Sequence, residues 1–246
     1  MVRRFEEISN NAWPALQILQ YDGWLLRFAN GVTKRSNSVN LLYPSSLDPE
    51  IKIDFCEKAF SARNIPPTFK ITSISDPSDM DQRLGQRGYF IHSIISFQVA
   101  DLKDFKVEGR NDVSVSSKMN EAWIDDFIRM NQFELSRKPT YIAIMNQVVT
   151  PKCLVSISEK GKTIGVGLGV IEGKFLGLFD LVVDMNFRNR GLGTRLVNAL
   201  LGWGKIQGAE TAYLQVLNDN FQALRLYEKP GFKEIYTYWY RMKGLK

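Results

Sequence analysis

Histidine is almost missing from these 246 residues: His92 is the single one. A lone histidine cannot anchor a His-rich metal site, and no Ser–His–Asp or Cys–His constellation surrounds it. It sits in the alternating stretch IHSIISF and reads as a structural or surface residue. Cysteine is scarce too. Cys56 and Cys153 lie far apart with no CxxC, which excludes a disulfide framework or a zinc finger and suits small buried side chains. No metal is therefore expected. No apolar run reaches the roughly 20 residues that cross a bilayer, so no membrane partner is expected. The opening MVRRFEEISNN is charged where a signal peptide is greasy, which leads to the expectation of a cytoplasmic protein. Basic runs interleaved with aromatics are absent as well. The net charge of +6, from 32 basic and 26 acidic residues, is spread too evenly for nucleic acid but suits a smaller anionic ligand.

What is present is an alternation of short strands and helices. GWLLRFA (23–29), NSVNLLY (37–43), PTFKITSI and YFIHSIISFQV read as strands. Pro49 to Asn64 reads as a helix with Ile51, Phe55, Ala59 and Phe60 on one face, and SDMDQRLGQRG as a helix ending in Gly88. The charged stretch DLKDFKVEGRND (101–112) is the candidate linker. After it come a short strand, VSVSSKM, and a helix, EAWIDDFIRMNQFEL, with Trp123, Phe127, Met130 and Phe133 at helical spacing. KCLVSIS, TIGVGLGVIEG and KFLGLFDLVVD follow as strands, with Lys160-Gly161 and Glu172-Gly173 as turns. GLGTRLVNALLGWGKIQG is a helix with Leu192, Leu196, Leu200 and Trp203 on one side. ETAYLQVL (strand), NFQALRLYEKPG (helix) and KEIYTYWYRMK (strand) complete the chain.

The chemistry is concentrated at FRNRGLGTRL (187–196), where a strand turns directly into a helix. A helix start has about four unpaired N–H groups and a positive dipole end. Phosphates bind there when the backbone can approach closely. Gly191 and Gly193 offer that clearance, and Arg188 and Arg190 add positive charge. Two similar-looking stretches fail. GVGLG (165–169) lies inside a strand with no helix after it, and close strand packing explains its glycines. KGKT (160–163) lacks the first glycine that a P-loop needs, Ser156 standing in its place.

Arg188-Asn189-Arg190-Gly191-Leu192-Gly193 resembles the R/Q-x-x-G-x-G/A pyrophosphate loop of the GNAT superfamily of acetyl-CoA-dependent N-acetyltransferases. LQVLNDNFQALRLYEKPGF (214–232) resembles that superfamily's second motif, about 30 residues on. The resemblance covers roughly residues 107–246. It implies an enzyme that moves an acetyl group from acetyl-CoA to an amine of a small molecule or peptide. It implies that Leu181, Val182 and Val183 pair with the pantetheine arm. It also implies that Arg188, Asn189, Arg190, Gly191, Leu192, Gly193 and Thr194 cradle the pyrophosphate, that Asn220 bonds near the arm, and that Tyr227 is the general acid. The oxyanion falls to an N–H near Val183.

The sequence departs from the family pattern in three places. Gln215 and Gly177 occupy the usual positions of the general base, which stays unassigned, with Asp180 and Asp184 as nearby carboxylates. Pro230, where leucine is usual, is expected in the last helical turn. A coenzyme A-binding sensor that has lost the chemistry is the alternative these departures leave open.

The fold implied is α/β (α+β): two GNAT-like lobes, each a mixed, mostly antiparallel sheet flanked by helices. Residues 1–105 form a degenerate lobe and 106–246 the catalytic one. SDMDQRLGQRGYF (78–90) reads as a worn copy of NFQALRLYEKPGF, with Leu84 in the place of Tyr227. Trp13, Trp24, Tyr43 and Phe69 either line an acceptor pocket or build that lobe's own core. Arg27, Lys34 and Arg35 read as surface charge. The oligomeric state is left open.

Overall fold

A computed structural model describes residues 1–106 and 112–245; residues 107–111 of the candidate linker lie outside the described residues. In chain order the elements are α1 (Val2–Ala12), β1 (Gln17–Tyr21), β2 (Trp24–Phe28), β3 (Val39–Leu41), α2 (Pro49–Ser61), β4 (Thr68–Ile71), α3 (Met80–Gln86) and β5 (Phe90–Asp101). There follow β6 (Ser114–Ser116), α4 (Glu121–Asn131), α5 (Lys138–Gln147), β7 (Lys152–Glu159), β8 (Lys162–Glu172), β9 (Phe175–Val183), α6 (Leu192–Ile206), β10 (Thr211–Leu217), α7 (Phe221–Glu228) and β11 (Lys233–Met242). No described helix is long and apolar enough to cross a membrane. The mixed α/β architecture with mostly antiparallel pairing is the one the sequence implies.

The contacts divide the chain into Met1–Ser96 with Tyr236–Lys246, and Phe97–Ile235. The expected boundary at 105/106 gave the last strand to the second lobe. Most of β11 instead belongs to the first unit, because Trp239–Met242 pair antiparallel with Ile71–Thr68 of β4.

In the first unit the strands run β1–β2–β3–β4–β11–β5. One sheet face packs Trp24, Leu26, Val39, Leu41, Phe69 and Ile71 against Ile53, Cys56 and Phe60 of α2 and Met80 and Leu84 of α3. Asp48 caps α2 through the N–H of Glu50 (2.8 Å), and Pro49 fills its first turn. The expected helix face is wrong by about a third of a turn. Ile51 and Phe55 are exposed, and the stripe Ile53, Cys56, Phe60 is buried, since spacings of three and four also join these residues. Trp13, Trp24 and Phe69 are core.

Arg27, expected at the surface, is 2% exposed. Its guanidinium donates to the carbonyls of Trp13 (2.6 Å), Arg35 (2.6 Å) and Asn10 (3.0 Å); burial pulls its pKa down to about 10. Helix α1 and strand β1 were not anticipated. Phe5, Ile8 and Ala12, the apolar stripe of α1, are buried.

In the second unit the order is β5–β10–β9–β8–β7–β6. Helix α6 lies on β8 through Gly165, Gly167 and Gly169. A Cβ on these would stand 3.1 Å, 3.3 Å and 3.0 Å from Leu196 or Leu200, which bears out close packing as the reason for GVGLG. Asn120 caps α4 through the N–H of Ala122 (2.9 Å), and Gln132, left-handed at φ 56°, ends it. Phe133 therefore lies beyond the helix. Helix α5 was not anticipated.

Candidate functional site

The site begins where two strands part. Strands β9 and β10 run parallel in register from Phe175↔Thr211 to Leu178↔Leu214. Beyond that pairing, β9 carries a bulge: Val166 pairs with Val182 and Leu168 with Phe179, so Asp180 and Leu181 together face Gly167. Asp180 is left-handed, at φ 50°. The open end leads into a cavity of about 590 Å³ lined by Leu181, Val182 and Val183 on one side and by the start of α6 and one face of α7 on the others.

The turn into α6 has the geometry an anion needs. Asn189 and Gly191 are left-handed, at φ 61° and 73°. Gly191 is the N-cap and no side chain caps the first turn, so its amides are available to a ligand. Nothing lies within 4 Å of where a Cβ on Gly191 would stand. Gly193 works differently. A Cβ there would come 3.1 Å from Leu226 of α7, so that glycine serves helix packing rather than ligand clearance. The open, uncapped start at Gly191 is the part of this geometry that suits an anion.

The arginines divide as well. Arg188 lines the cavity and donates from Nε to the carbonyl of Val183 (3.4 Å). Arg190 does not line it: its guanidinium pairs with Glu159 (3.1 Å) and lies over the Phe187 ring. Leu181–Val183, Arg188, Asn189, Gly191–Thr194, Asn220 and Tyr227 all line one cavity; Arg190 alone among the expected residues stands apart. Asn220 caps α7, its amide oxygen accepting from Ala223 N–H at 3.2 Å.

Tyr227 is 8% exposed and meets Phe232 edge-on. Burial pushes its hydroxyl up to about 12, so it is protonated at neutral pH. Pro230 lies past Glu228, where α7 ends, so the expected proline within the last helical turn is corrected.

Candidate bases fare poorly. A side chain at Gly177 would collide with Phe179 and come 2.6 Å from the ring of Tyr213, which is itself stacked on Phe97. Asp184 is held below the usual carboxylate range, first by Lys162 and then by the Asn186 N–H and Arg129. Sequence reasoning missed Asn131, Phe187, Gln222 and Arg225 on the cavity wall. Gln222 and Arg225 lie one turn apart on α7, at i and i+3; nothing in the sequence around Asn131 marks it.

Residues 1–241 match the family model described as "Probable histone acetyltransferase Rv0428c C-terminal". The "Uncharacterized N-acetyltransferase YobR" of Bacillus subtilis (strain 168) is 31% identical over 249 residues, covering 98% of each chain. Among solved structures, a GCN5-related N-acetyltransferase from Kribbella flavida superposes with a TM-score of 0.72 at 15% identity, covering 99% of this chain and 95% of that one. A tandem GNAT protein from the clavulanic acid biosynthesis pathway gives 0.61 at 12% identity, covering 85% and 76%. At such identities the two structures speak for the fold alone.

Proposed function

The chain belongs to the Rv0428c C-terminal acetyltransferase family of GNAT N-acetyltransferases, and from that premise we propose that it moves the acetyl group of acetyl-CoA directly to an amine of a small molecule or peptide, with Tyr227 as the general acid. One observation carries this reading. The parted ends of β9 and β10 open into the cavity that also holds the uncapped start of α6 and the buried hydroxyl-bearing Tyr227.

Each wall has its task. The backbone of Leu181–Val183, beyond the paired register, receives the pantetheine arm as an added strand. The first-turn amides of α6, with Asn189, Gly191 and Arg188, hold the diphosphate. Acetyl-CoA itself supplies an activated thioester. An N–H of the bulged segment close to Val183 stabilises the oxyanion as the amine attacks. Tyr227 then gives its proton to the departing sulfur. Asp184 is engaged by two cations, and neither Gln215 nor Gly177 offers a basic atom, so the reading assigns no base. Residues 1–105 are proposed as a lobe without a cofactor site.

Titration calorimetry with acetyl-CoA, with ATP and NAD as controls, tests the first half: saturable binding of acetyl-CoA alone is expected. Thiol release across a panel of amines tests the second. An absence of acetyl-CoA binding would overturn the proposal.

A further inference from the structure

Asp184 is the residue between the cavity wall at Val183 and the turn at Arg188, and it is 6% exposed. Three parts of the second unit meet on its carboxylate. Oδ1 accepts the N–H of Asn186 (3.1 Å), capping the 3₁₀ turn Met185–Phe187. Oδ2 accepts from Nη1 of Arg129 on α4 (3.1 Å) and from Nζ of Lys162 at the start of β8 (3.0 Å). Arg129 is braced in turn by Asp126 (2.8 Å) and the carbonyl of Thr163 (2.7 Å). The main-chain N–H of Asp184 bonds the carbonyl of Ile164 at 2.9 Å. The tie continues outward, since Lys162 and Arg190 both lie against the Phe187 ring and Arg190 pairs with Glu159 of β7.

A carboxylate at the root of an anion-binding turn would repel a diphosphate if it stood alone. Here two cations neutralise it, and in doing so they bind the root of the turn to α4 and to the β7–β8 hairpin. A nearly buried acid with one capping bond and two ion pairs is expensive to maintain unless its geometry is used.

We propose that Asp184 is a positioning residue for acetyl-CoA: it touches no ligand, but by pinning the start of the phosphate turn it sets the direction in which Arg188 and the first amides of α6 face the diphosphate. The inference rests on the acetyl-CoA reading above. A carboxylate of structural importance only would, once removed, lower the unfolding temperature and leave the affinity of the folded protein alone.

Titration calorimetry on the full chain separates the two. Asp184→Asn is expected to weaken acetyl-CoA binding about tenfold and Lys162→Gln about threefold, with Lys162→Gln adding nothing in the Asp184→Asn background because the two act as one unit. In hydrogen exchange, acetyl-CoA should slow the amides of the hairpin at 160–164 in the wild type and not in Asp184→Asn. Lys162 is half exposed, so Lys162→Gln, together with Arg129→Gln, carries the test should Asp184→Asn not fold; each is expected to weaken binding, and wild-type affinity in both overturns the inference. Affinity of Asp184→Asn within twofold of wild type overturns it too, as does an undiminished effect of Lys162→Gln in the Asn background. A wild type that binds no acetyl-CoA overturns the functional reading with it; a wild type that binds normally beside an equally tight Asp184→Asn overturns this inference alone.

Discussion

Two short helices, α3 in the first unit and α7 in the second, close in the same way and serve different ends. After α3, Gly88 bonds back to Gly85 (3.0 Å) and Tyr89 to the carbonyl of Leu84 (3.0 Å); after α7, Gly231 bonds back to Glu228 (3.0 Å) and Phe232 to the carbonyl of Tyr227 (3.1 Å). Both glycines are left-handed and both following aromatics are buried, the pattern of a helix stop with a hydrophobic clasp. The difference lies in what the helices face. Leu84 is wholly buried apolar packing where Tyr227 carries a hydroxyl. The arginines around α3 are consumed by Asp79, Glu50 and Asp54, and Asp81 holds Arg241. Arg225 of α7 has no ion-pair partner among the described residues and looks onto the cavity. The helix–glycine–aromatic pattern is thus a statement about folding, and a hydroxyl beside an uncapped helix start is what makes it a statement about chemistry.

That contrast can be broken at several points. The largest effect is expected at Gly191→Asp, which sets a carboxylate and a strained backbone in the turn: acetyl-CoA binding by calorimetry should disappear, with no equivalent position in the first unit. Tyr227→Phe should keep the fold by circular dichroism and lower single-turnover acetyl transfer by roughly 10²–10⁴; unchanged turnover would make Tyr227 the mere packing residue that Leu84 is. Leu84→Ala should show the reverse, losing about 2–5 kcal/mol in denaturant unfolding with acetyl-CoA affinity unchanged. The pH profile gives a subtler contrast. Tyr227 donates only while protonated, and its hydroxyl is pushed up to about 12, so turnover should show no alkaline fall assignable to Tyr227 until the pH approaches that value. Smallest of all is Pro230→Leu. Because the proline stands outside α7, turnover should change by less than about threefold, roughly 0.65 kcal/mol of barrier.

The parts of the site that could be read in the sequence are those written locally. The turn from Arg188 to Thr194 and the segment from Asn220 to Tyr227 are contiguous stretches whose spacing matches strand, turn and helix, and they line one cavity. What escaped depends on distant partners. Arg190 looks like a phosphate ligand until Glu159, far back in the chain, claims it. Asp184 looks like a base until Arg129 and Lys162 engage it. Arg27 reads as surface charge because the carbonyls that bury it come from Asn10, Trp13 and Arg35. Helix α5, KPTYIAIMNQ, has apolar residues nearly all round and no clear stripe, so periodicity does not reveal it. Helix α1 has only a thin stripe, Phe5, Ile8 and Ala12, set among charged and polar residues, so few apolar positions mark it in the sequence.

The alternating glycines of β8 have one more consequence. With no side chains intervening, the axis of α6 is dictated by the strand beneath it along three successive contacts, as a beam is levelled by the floor it rests on. Its axis is therefore held from beneath, independently of the tie by which Arg129 and Lys162 pin the turn at its start. Loops of the second unit that lie away from both can be rebuilt without turning that axis.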